Sequence, residues 1–425
     1  MNAYRVRPLH KDGATLSFRV PASKSILNRA LLLSALSPAA VRLAGGNALG
    51  EDTRAFLRAL GQLGIPVRAD GDDLIVTGCG GTFPVRSATI DVQSAGTAAR
   101  FLPVALAFSG GEFVLDASEQ MRRRPMREEL SLLRQAGASV ECLGKEDAFP
   151  FLLRSRGIHA RKIAVNTDAS SQYASAFLLA AGAGSRPLSV TLTGSRTNGS
   201  YLALTLKMLR AFGVSWERID DTVTVFPQTT PPARYIVEPD LSGACYFYAL
   251  ALLFPVRVLV QGVREDSVQG DRKFLQLLKD RGVRFEQREE GLLADGTVVD
   301  SFAGFDEDMK DYSDQALTIA ALAPFAAGPT VIRNVGHIRL QECDRMRAVT
   351  ENLNAIGVPA RAEGDDIFIS PAPVTGGRIR TFGDHRVAMA FTLTGLKTGT
   401  LEIDDPACCS KTFEGFFDLI SQLTE

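Results

Sequence analysis

Five stretches of the chain share one hydrophobic pattern. Residues 56–68, 129–141, 204–217, 274–286 and 349–361 each place apolar side chains at i, i+3 and i+4, stop at a glycine, and resume as a short alternation. That pattern predicts an amphipathic helix closed by a glycine C-cap and followed by a strand. The glycines are Gly64, Gly137, Gly213, Gly282 and Gly357, spaced 73, 76, 69 and 75 residues apart. Helix, glycine, strand is a common sequence by itself; the near-constant spacing is what marks these five as repeats. Solenoid repeats run about 20–50 residues, so this longer period fits a compact unit of several strands and two helices. The second helix of the unit is expected at 95–108, 170–181, 242–253 and 314–326, stretches rich in Ala and Leu that open on Ser, Asp or Gly-Thr, residues suited to capping.

Five repeats leave a sixth incomplete. The chain ends on a helical pattern at 412–424 and begins on two strand patterns at 4–8 and 15–20. The two ends can complete one unit together, which places the N-terminal strands with the C-terminal half. The chain then crosses between domains twice, near Pro21-Ala22 and near 235–240, after the polar, Pro-rich stretch 228–235. The expected domains are 1–20 with 240–425, and 21–239, each an α/β body of three repeats, with ligands bound in a cleft between them.

Lys and Arg total 47 against 48 Asp and Glu, a net charge of −1. No global basic excess draws the chain to nucleic acid or an anionic membrane, so any anion site must be local. No apolar run is long enough to span a bilayer, and residues 1–7 lack the apolar core of a signal peptide, so a soluble cytoplasmic protein is expected. The six cysteines form no CxxC pair, and no two of the four histidines share metal-ligand spacing, which speaks for reduced thiols and against a zinc site. Neither a P-loop nor a convincing dinucleotide fingerprint is present.

Several short motifs carry candidate chemistry. Residues 21–29 place Lys24, Ser25 and Arg29 around a helix start, where backbone N–H groups and cations make an anion site. Small residues at 94–99 precede Arg100 and let backbone approach a ligand. Arg122, Arg123 and Arg124 precede a proline and would repel one another unless an anion sits there. Ser170, Ser171 and Gln172 open a helix with neutral donors. The C-terminal half adds Asp314, Glu342 with Arg345, Asp384-His385-Arg386, and Lys411. Each motif alone also has a plain reading as a cap, a solvated charge run or a structural ion pair. Together, Lys24, Arg29, Arg100, Arg124, Arg345, Arg386 and Lys411 would make a site for polyanionic substrates. Asp314 and Glu342 would then be carboxylates placed for acid–base work.

These motifs, in this order and spacing, resemble the EPSP synthase (3-phosphoshikimate 1-carboxyvinyltransferase) family over nearly the whole chain. The resemblance implies a two-domain, inside-out α/β barrel with three βαβαββ units per domain and an interdomain active-site cleft. It implies enolpyruvyl transfer from phosphoenolpyruvate (PEP) to the 5-hydroxyl of shikimate 3-phosphate, without metal or organic cofactor, by a monomer with small-molecule partners only. Carried over residue by residue, Lys24, Ser25, Arg29, Ser170, Ser171, Gln172, Asn198, Tyr201, Asp314, His337 and Gln341 belong to the shikimate 3-phosphate side. Lys24, Gly96, Arg124, Gln172, Arg345, Arg386 and Lys411 belong to the PEP side, with Lys24 and Gln172 between the substrates. Asp314 takes the hydroxyl proton, Glu342 protonates the methylene carbon, and Lys24 completes the catalytic set. Four positions depart from the family's commonest residues: Ser94 for Asn, Asn198 for Ser, His337 for Asn and Gln341 for Lys. Three of these lie on the acceptor side, so the donor is the better supported substrate.

Three other readings are distinguishable. The sister enolpyruvyl transferase acting on UDP-N-acetylglucosamine typically carries a Cys or Asp in the loop that here spans 120–127, and neither residue is there. A relative that processes RNA ends would show a basic surface. A non-catalytic relative would bind anions without turnover.

Overall fold

The computed structural model describes residues 3–47, 49–168, 170–194, 197–227 and 230–425. Gln228 and Thr229, in the Pro-rich stretch before the expected second crossing, lie outside them. The chain divides into two compact units, one of residues 1–21 with 238–425 and one of residues 22–237. Strands β1 (Tyr4–Arg5) and β2 (Thr15–Phe18) come first.

The 22–237 unit continues with α1 (Lys24–Leu36), β3 (Val41–Ala44), α2 (Glu51–Gln62), β4 (Val67–Asp70) and β5 (Asp73–Val76). Next come β6 (Ser87–Asp91), α3 (Gly96–Ser109), β7 (Gly111–Asp116), α4 (Glu119–Arg122), α5 (Arg127–Gln135), β8 (Ser139–Cys142) and β9 (Phe151–Ser155). A third set is β10 (Lys162–Asn166), α6 (Ser171–Ala181), β11 (Leu188–Thr193), α7 (Ser200–Ala211), β12 (Trp216–Ile219) and β13 (Thr222–Val225), followed by β14 (Arg234–Ile236).

The other unit resumes with α8 (Leu241–Leu253), β15 (Arg257–Gln261), α9 (Arg272–Lys279), β16 (Arg284–Gln287) and β17 (Gly291–Asp295). It proceeds through β18 (Asp306–Asp308), a 3₁₀ turn at Ser313–Gln315, α10 (Ala316–Leu322), β19 (Thr330–Arg333), α11 (Arg345–Ala355), β20 (Ala360–Glu363) and β21 (Asp366–Ile369). It closes with β22 (Gly377–Ile379), α12 (His385–Thr398), β23 (Leu401–Ile403), a 3₁₀ segment at Pro406–Lys411 and α13 (Phe416–Thr424).

Three repeats are contiguous βαβαββ units, each folded into one four-stranded sheet. In β6-β7-β9-β8 the first two strands are parallel, and β9 then runs antiparallel to both β7 and β8. The sheets β10-β11-β13-β12 and β18-β19-β21-β20 repeat that order. The repeat glycines sit where the pattern requires them: Gly64, Gly137, Gly213, Gly282 and Gly357 all have φ between 71° and 105°. A side chain is strained in that region, which is why the helix stops on glycine each time.

The Ala- and Leu-rich helix, which comes first in the βαβαββ order, is buried nearly all round. α3, α6 and α1 pack on one another inside the 22–237 unit, and α8, α10 and α12 do so inside the other, with the sheets outside them. Their Ala content allows close approach, and their apolar surface on every side suits a helix with no solvent face. The helices ending on glycine are amphipathic and cover the sheets. Among the described residues no helix is long and apolar enough to cross a membrane.

The strands at the crossings depart from expectation. The two chain ends do not complete a single unit together. β1 pairs antiparallel with β23 and fills the last sheet, but β2 leaves for the β16-β17-β15 sheet, where it lies parallel to β15. Phe18 explains this: it is buried and its ring stacks on Phe247 of α8 at 4.1 Å between centroids. In the same way β14 runs parallel to β3 and completes the sheet of β3, β4 and β5. Each edge strand thus sits in the unit opposite to the helix that follows it in sequence.

Candidate active site

The motif residues cluster at helix starts. In the unit holding α8–α13, Arg345 is the hub. It opens α11, is only 1% exposed, and is surrounded by acids. Its Nε and Nη2 donate to Asp384 at 2.7 and 3.3 Å, its Nη1 to Asp314 at 3.1 Å and its Nη2 to Glu342 at 3.0 Å. Gln341 also accepts from Nη1. Burial works against the charge of Arg345, but Asp384, Glu342 and Asp314 outweigh it and hold the guanidinium's pKa above its ordinary value.

Asp314 takes a second arginine, Arg386, whose Nη2 lies 3.0 Å away. Lys411 Nζ is 3.2 Å from Glu342 Oε1, an ion pair without hydrogen-bond alignment. Three carboxylates, Asp314, Glu342 and Asp384, therefore stand against three cations, Arg345, Arg386 and Lys411. Asp384 also caps α12 by accepting from Arg386 N at 2.8 Å. Asp314 lies in the 3₁₀ turn before α10. His337 Nε2 and Ser313 Oγ share a hydrogen bond of 2.7 Å, which ties the His337 segment to that turn. Behind it, fully buried Gln315 donates to Asp271 at 2.7 Å, and Ser242 donates to the same carboxylate at 2.9 Å.

In the 22–237 unit, Lys24 opens α1 and pairs with buried Asp52 of α2 at 3.0 Å. Ser25 is half-buried, and its carbonyl accepts from Arg29 Nη1 at 2.8 Å. Arg29 is buried; it donates to Thr205 at 2.9 Å and its guanidinium lies over the rings of Phe101 and Tyr201. Desolvation lowers its pKa to about 10, still far above neutrality. Ser170 caps α6 by accepting from Gln172 N at 3.2 Å, with buried Ser171 as the first helical residue. Asn198 is exposed, two residues before α7, and Tyr201 lies within α7.

Gly96 opens α3. A Cβ there would lie 3.2 Å from Arg124 Nη1 and 3.7 Å from Arg100 Nη1, so Gly96 gives these two arginines room to converge. The reading of three mutually repelling arginines needs correction. Arg122 is paired with Asp116 and Arg123 with Glu119, so nearby acids neutralise two of the three. Among the departures, Ser94 shares a 2.7 Å hydrogen bond with Ser118, which ties the start of α3 to the cap of α4. Among the described residues no group of three or more His, Cys, Asp or Glu could hold a metal ion.

The arrangement is one of polar helix starts suited to anions, arginines held by carboxylates, and three carboxylates on one guanidinium. Residues 13–420 match the family described as EPSP synthase (3-phosphoshikimate 1-carboxyvinyltransferase). The chain belongs to the EPSP synthase family. It is 36% identical over 411 residues to the 3-phosphoshikimate 1-carboxyvinyltransferase of Nostoc punctiforme, covering 96% of each chain. It is 35% identical over 432 residues to that of Vibrio atlanticus, covering 100% of both. Its fold is similar to a solved EPSP synthase from Acinetobacter baumannii, with a TM-score of 0.80, 22% identity, and coverage of 99% and 97%.

Within this EPSP synthase relative, sequence reasoning missed three site residues. Asp384 appeared only as part of an Asp-His-Arg motif, yet it anchors Arg345. Asp52, the partner of Lys24, carried no motif at all; an acid in the first turn of a helix is unremarkable. Asp271 lies 43 residues before Asp314 and meets its turn through Gln315. An acid just before a helix is an ordinary cap position, so no sequence signal marked it.

Proposed function

We propose that this chain transfers the enolpyruvyl group of PEP to the 5-hydroxyl of shikimate 3-phosphate and releases inorganic phosphate. The observation that carries this reading is the pair of carboxylates, Asp314 and Glu342, held on the buried guanidinium of Arg345. Addition to an enol phosphate needs a base for the attacking hydroxyl and an acid for the methylene carbon. Asp314 accepts the 5-hydroxyl proton as the oxygen attacks C2 of PEP, and Glu342 delivers a proton to the methylene, which becomes a methyl group. The tetrahedral adduct then loses a proton from that methyl and expels phosphate, which restores the C=C bond and leaves the product as an enol ether.

Arg124, Arg345, Arg386 and Lys411 hold the donor's carboxylate and phosphate, and Gly96 lets the backbone approach it. Ser170, Ser171, Arg29 and Ser25 serve the phosphate of the acceptor, with Tyr201, Asn198, His337 and Gln341 around it. Lys24 and Gln172 lie between the two substrates. The charge balance of the Asp314 cluster supports this assignment. A donor anion can take over Arg386 and Lys411, while Asp384 keeps Arg345 in place. Phosphate release from shikimate 3-phosphate plus PEP tests the reading. Turnover with UDP-N-acetylglucosamine instead, or binding of both substrates without phosphate release, would overturn it.

A further inference from the structure

We propose that Asp271 is a positioning residue for the reaction: through Gln315 it fixes the turn that carries Asp314, and it does so as a hydrogen-bond acceptor rather than as a charge. This inference rests on the reading of Asp314 as the base. Asp314 is the middle residue of the 3₁₀ turn Ser313–Gln315. Short 3₁₀ turns have poor hydrogen-bond geometry, so the aim of Asp314 depends on what holds its two neighbours. Ser313 is held by His337 at 2.7 Å. Gln315 is held on the other side, and both ends of its amide are used. Thr318 Oγ1 donates to Oε1 at 2.9 Å, which leaves Nε2 to donate to Asp271 Oδ1 at 2.7 Å.

Asp271 stands at the N-cap position of α9, yet its side chain does not cap that helix. It serves two other elements instead: Oδ1 takes the Gln315 amide, and Oδ2 accepts from Ser242, in the first turn of α8, at 2.9 Å. The segment just before it is fixed as well. Gln269 accepts from Leu241 N at 3.0 Å and donates to the Pro239 carbonyl at 2.8 Å. Asp271, Ser242, Gln315 and Thr318 are all buried. A buried acid is a costly way to join helices that apolar contacts could join. What it adds is direction, one lone pair aimed at one amide beside the base. Burial raises the pKa of the Asp271 carboxyl, and in either protonation state Oδ1 still accepts from Gln315. Asparagine offers the same acceptor and can turn its amide to Ser242; leucine offers none.

Gln315→Met removes the amide at nearly constant volume, and Asp271→Leu removes the acceptor. Each should lower kcat about ten- to hundredfold, the scale of a catalytic group displaced by up to about 1 Å, with KM for shikimate 3-phosphate within about threefold of wild type. The rate is taken per binding-competent site, counted by calorimetric titration with shikimate 3-phosphate, so unfolded protein does not enter it. Asp271→Asn should keep kcat within about threefold of wild type, because it keeps the hydrogen bond. A loss as large as that of Asp271→Leu would make the charge the active feature and overturn the proposal. The deciding measurement is a double-mutant cycle with Asp314→Asn. Once the base is gone, Gln315→Met should cost less than about threefold in kcat, because its effect passes through Asp314. An equal cost in both backgrounds, as a merely structural role would give, overturns the proposal, as does no cost in the wild type. The cycle uses only Gln315→Met, so it decides the matter even if Asp271→Leu does not fold. Asp314→Asn alone tests the reading underneath. A kcat within about tenfold of wild type removes Asp314 as the base and this inference with it. A larger loss with an additive cycle removes only the role given to Asp271.

Discussion

Replacing Asp314 with Asn should lower kcat and lower KM for PEP as well. Asp314 accepts from Arg345 at 3.1 Å and from Arg386 at 3.0 Å, inside a cluster whose three acids and three bases cancel. The amide keeps the shape and removes one negative charge, leaving the cluster at +1. A general base contributes about 10²–10⁴-fold in rate, or roughly 3–5 kcal/mol at 1.36 kcal/mol per decade. The donor, however, no longer competes with Asp314 for Arg386. Both side chains are about nine-tenths buried, so that ion pair is screened less than a surface pair. After its desolvation is offset, about 1–2 kcal/mol should pass to donor binding, a five- to thirty-fold tightening. Chemistry this slow makes KM approach the dissociation constant, so the tightening can be read directly. Arg345 remains anchored by Asp384 and Glu342, so thermal unfolding should stay near wild type. The assay is phosphate release with PEP varied at saturating shikimate 3-phosphate. A kcat within tenfold of wild type, or a KM for PEP that rises, would refute the reasoning and make Asp314 a positioning group.

Other substitutions probe other parts of the site. Gly96→Ala puts a Cβ 3.2 Å from Arg124 Nη1, which must yield by a few tenths of an ångström; KM for PEP should rise about three- to tenfold with KM for shikimate 3-phosphate unmoved. Equal rises in both would remove Gly96 from the donor side. Gln341→Lys replaces an acceptor of Arg345 by a cation facing it, and the new charge should lower neighbouring carboxyl pKa values, moving the acidic limb of the rate profile down by about half a unit to one unit. An unmoved limb would mean that the lysine turns away from the cluster. Asp271 is fully buried, and desolvation first, then Asp314, raises its carboxyl above the ordinary value. Its contribution to stability is therefore complete below the unfolded value near 4 and is lost as pH rises through the folded value. Urea midpoints of wild type relative to Asp271→Asn should decline from pH 4 to 7, and parallel profiles would contradict that.

How much of this was legible in the sequence depends on how local each feature is. The repeats were legible because a helix C-cap is a local event; each closing glycine has a backbone conformation that a neighbouring sequence pattern announces. The central helices were legible from their Ala and Leu content. The exchange of β2 and β14 was not, because strands of four and three residues carry too little pattern to choose between distant partners. At the site, cationic and capping motifs at helix starts stood out one by one. That Arg345 binds three acids at once is set by chain segments 31 and 39 residues away and has no local signal. Glu129 was visible only as the edge of a repeat. Its side chain is fully buried, and nothing in its neighbours says that the helix turns it inward.

The exchanged edge strands bear on how this molecule can be cut and rejoined. The 22–237 unit is one continuous stretch of chain that carries its own edge strand, β14, so it is in effect an insertion between Pro21 and Glu238 of the other unit. That other unit is nearly a ring. Tyr4 Oη is 2.8 Å from Ser421 Oγ and its ring is 4.5 Å from that of Phe417, so the first strand and the last helix already touch. A circular permutant that starts at Glu238, joins residue 425 to residue 1 through a short linker and stops at Pro21 would keep every sheet of that unit whole. Cutting the gene near its midpoint to give an N-terminal and a C-terminal half would not. The C-terminal half would expose the unpaired flank of β15, and the N-terminal half would carry β2 with no sheet to join, a combination that invites aggregation.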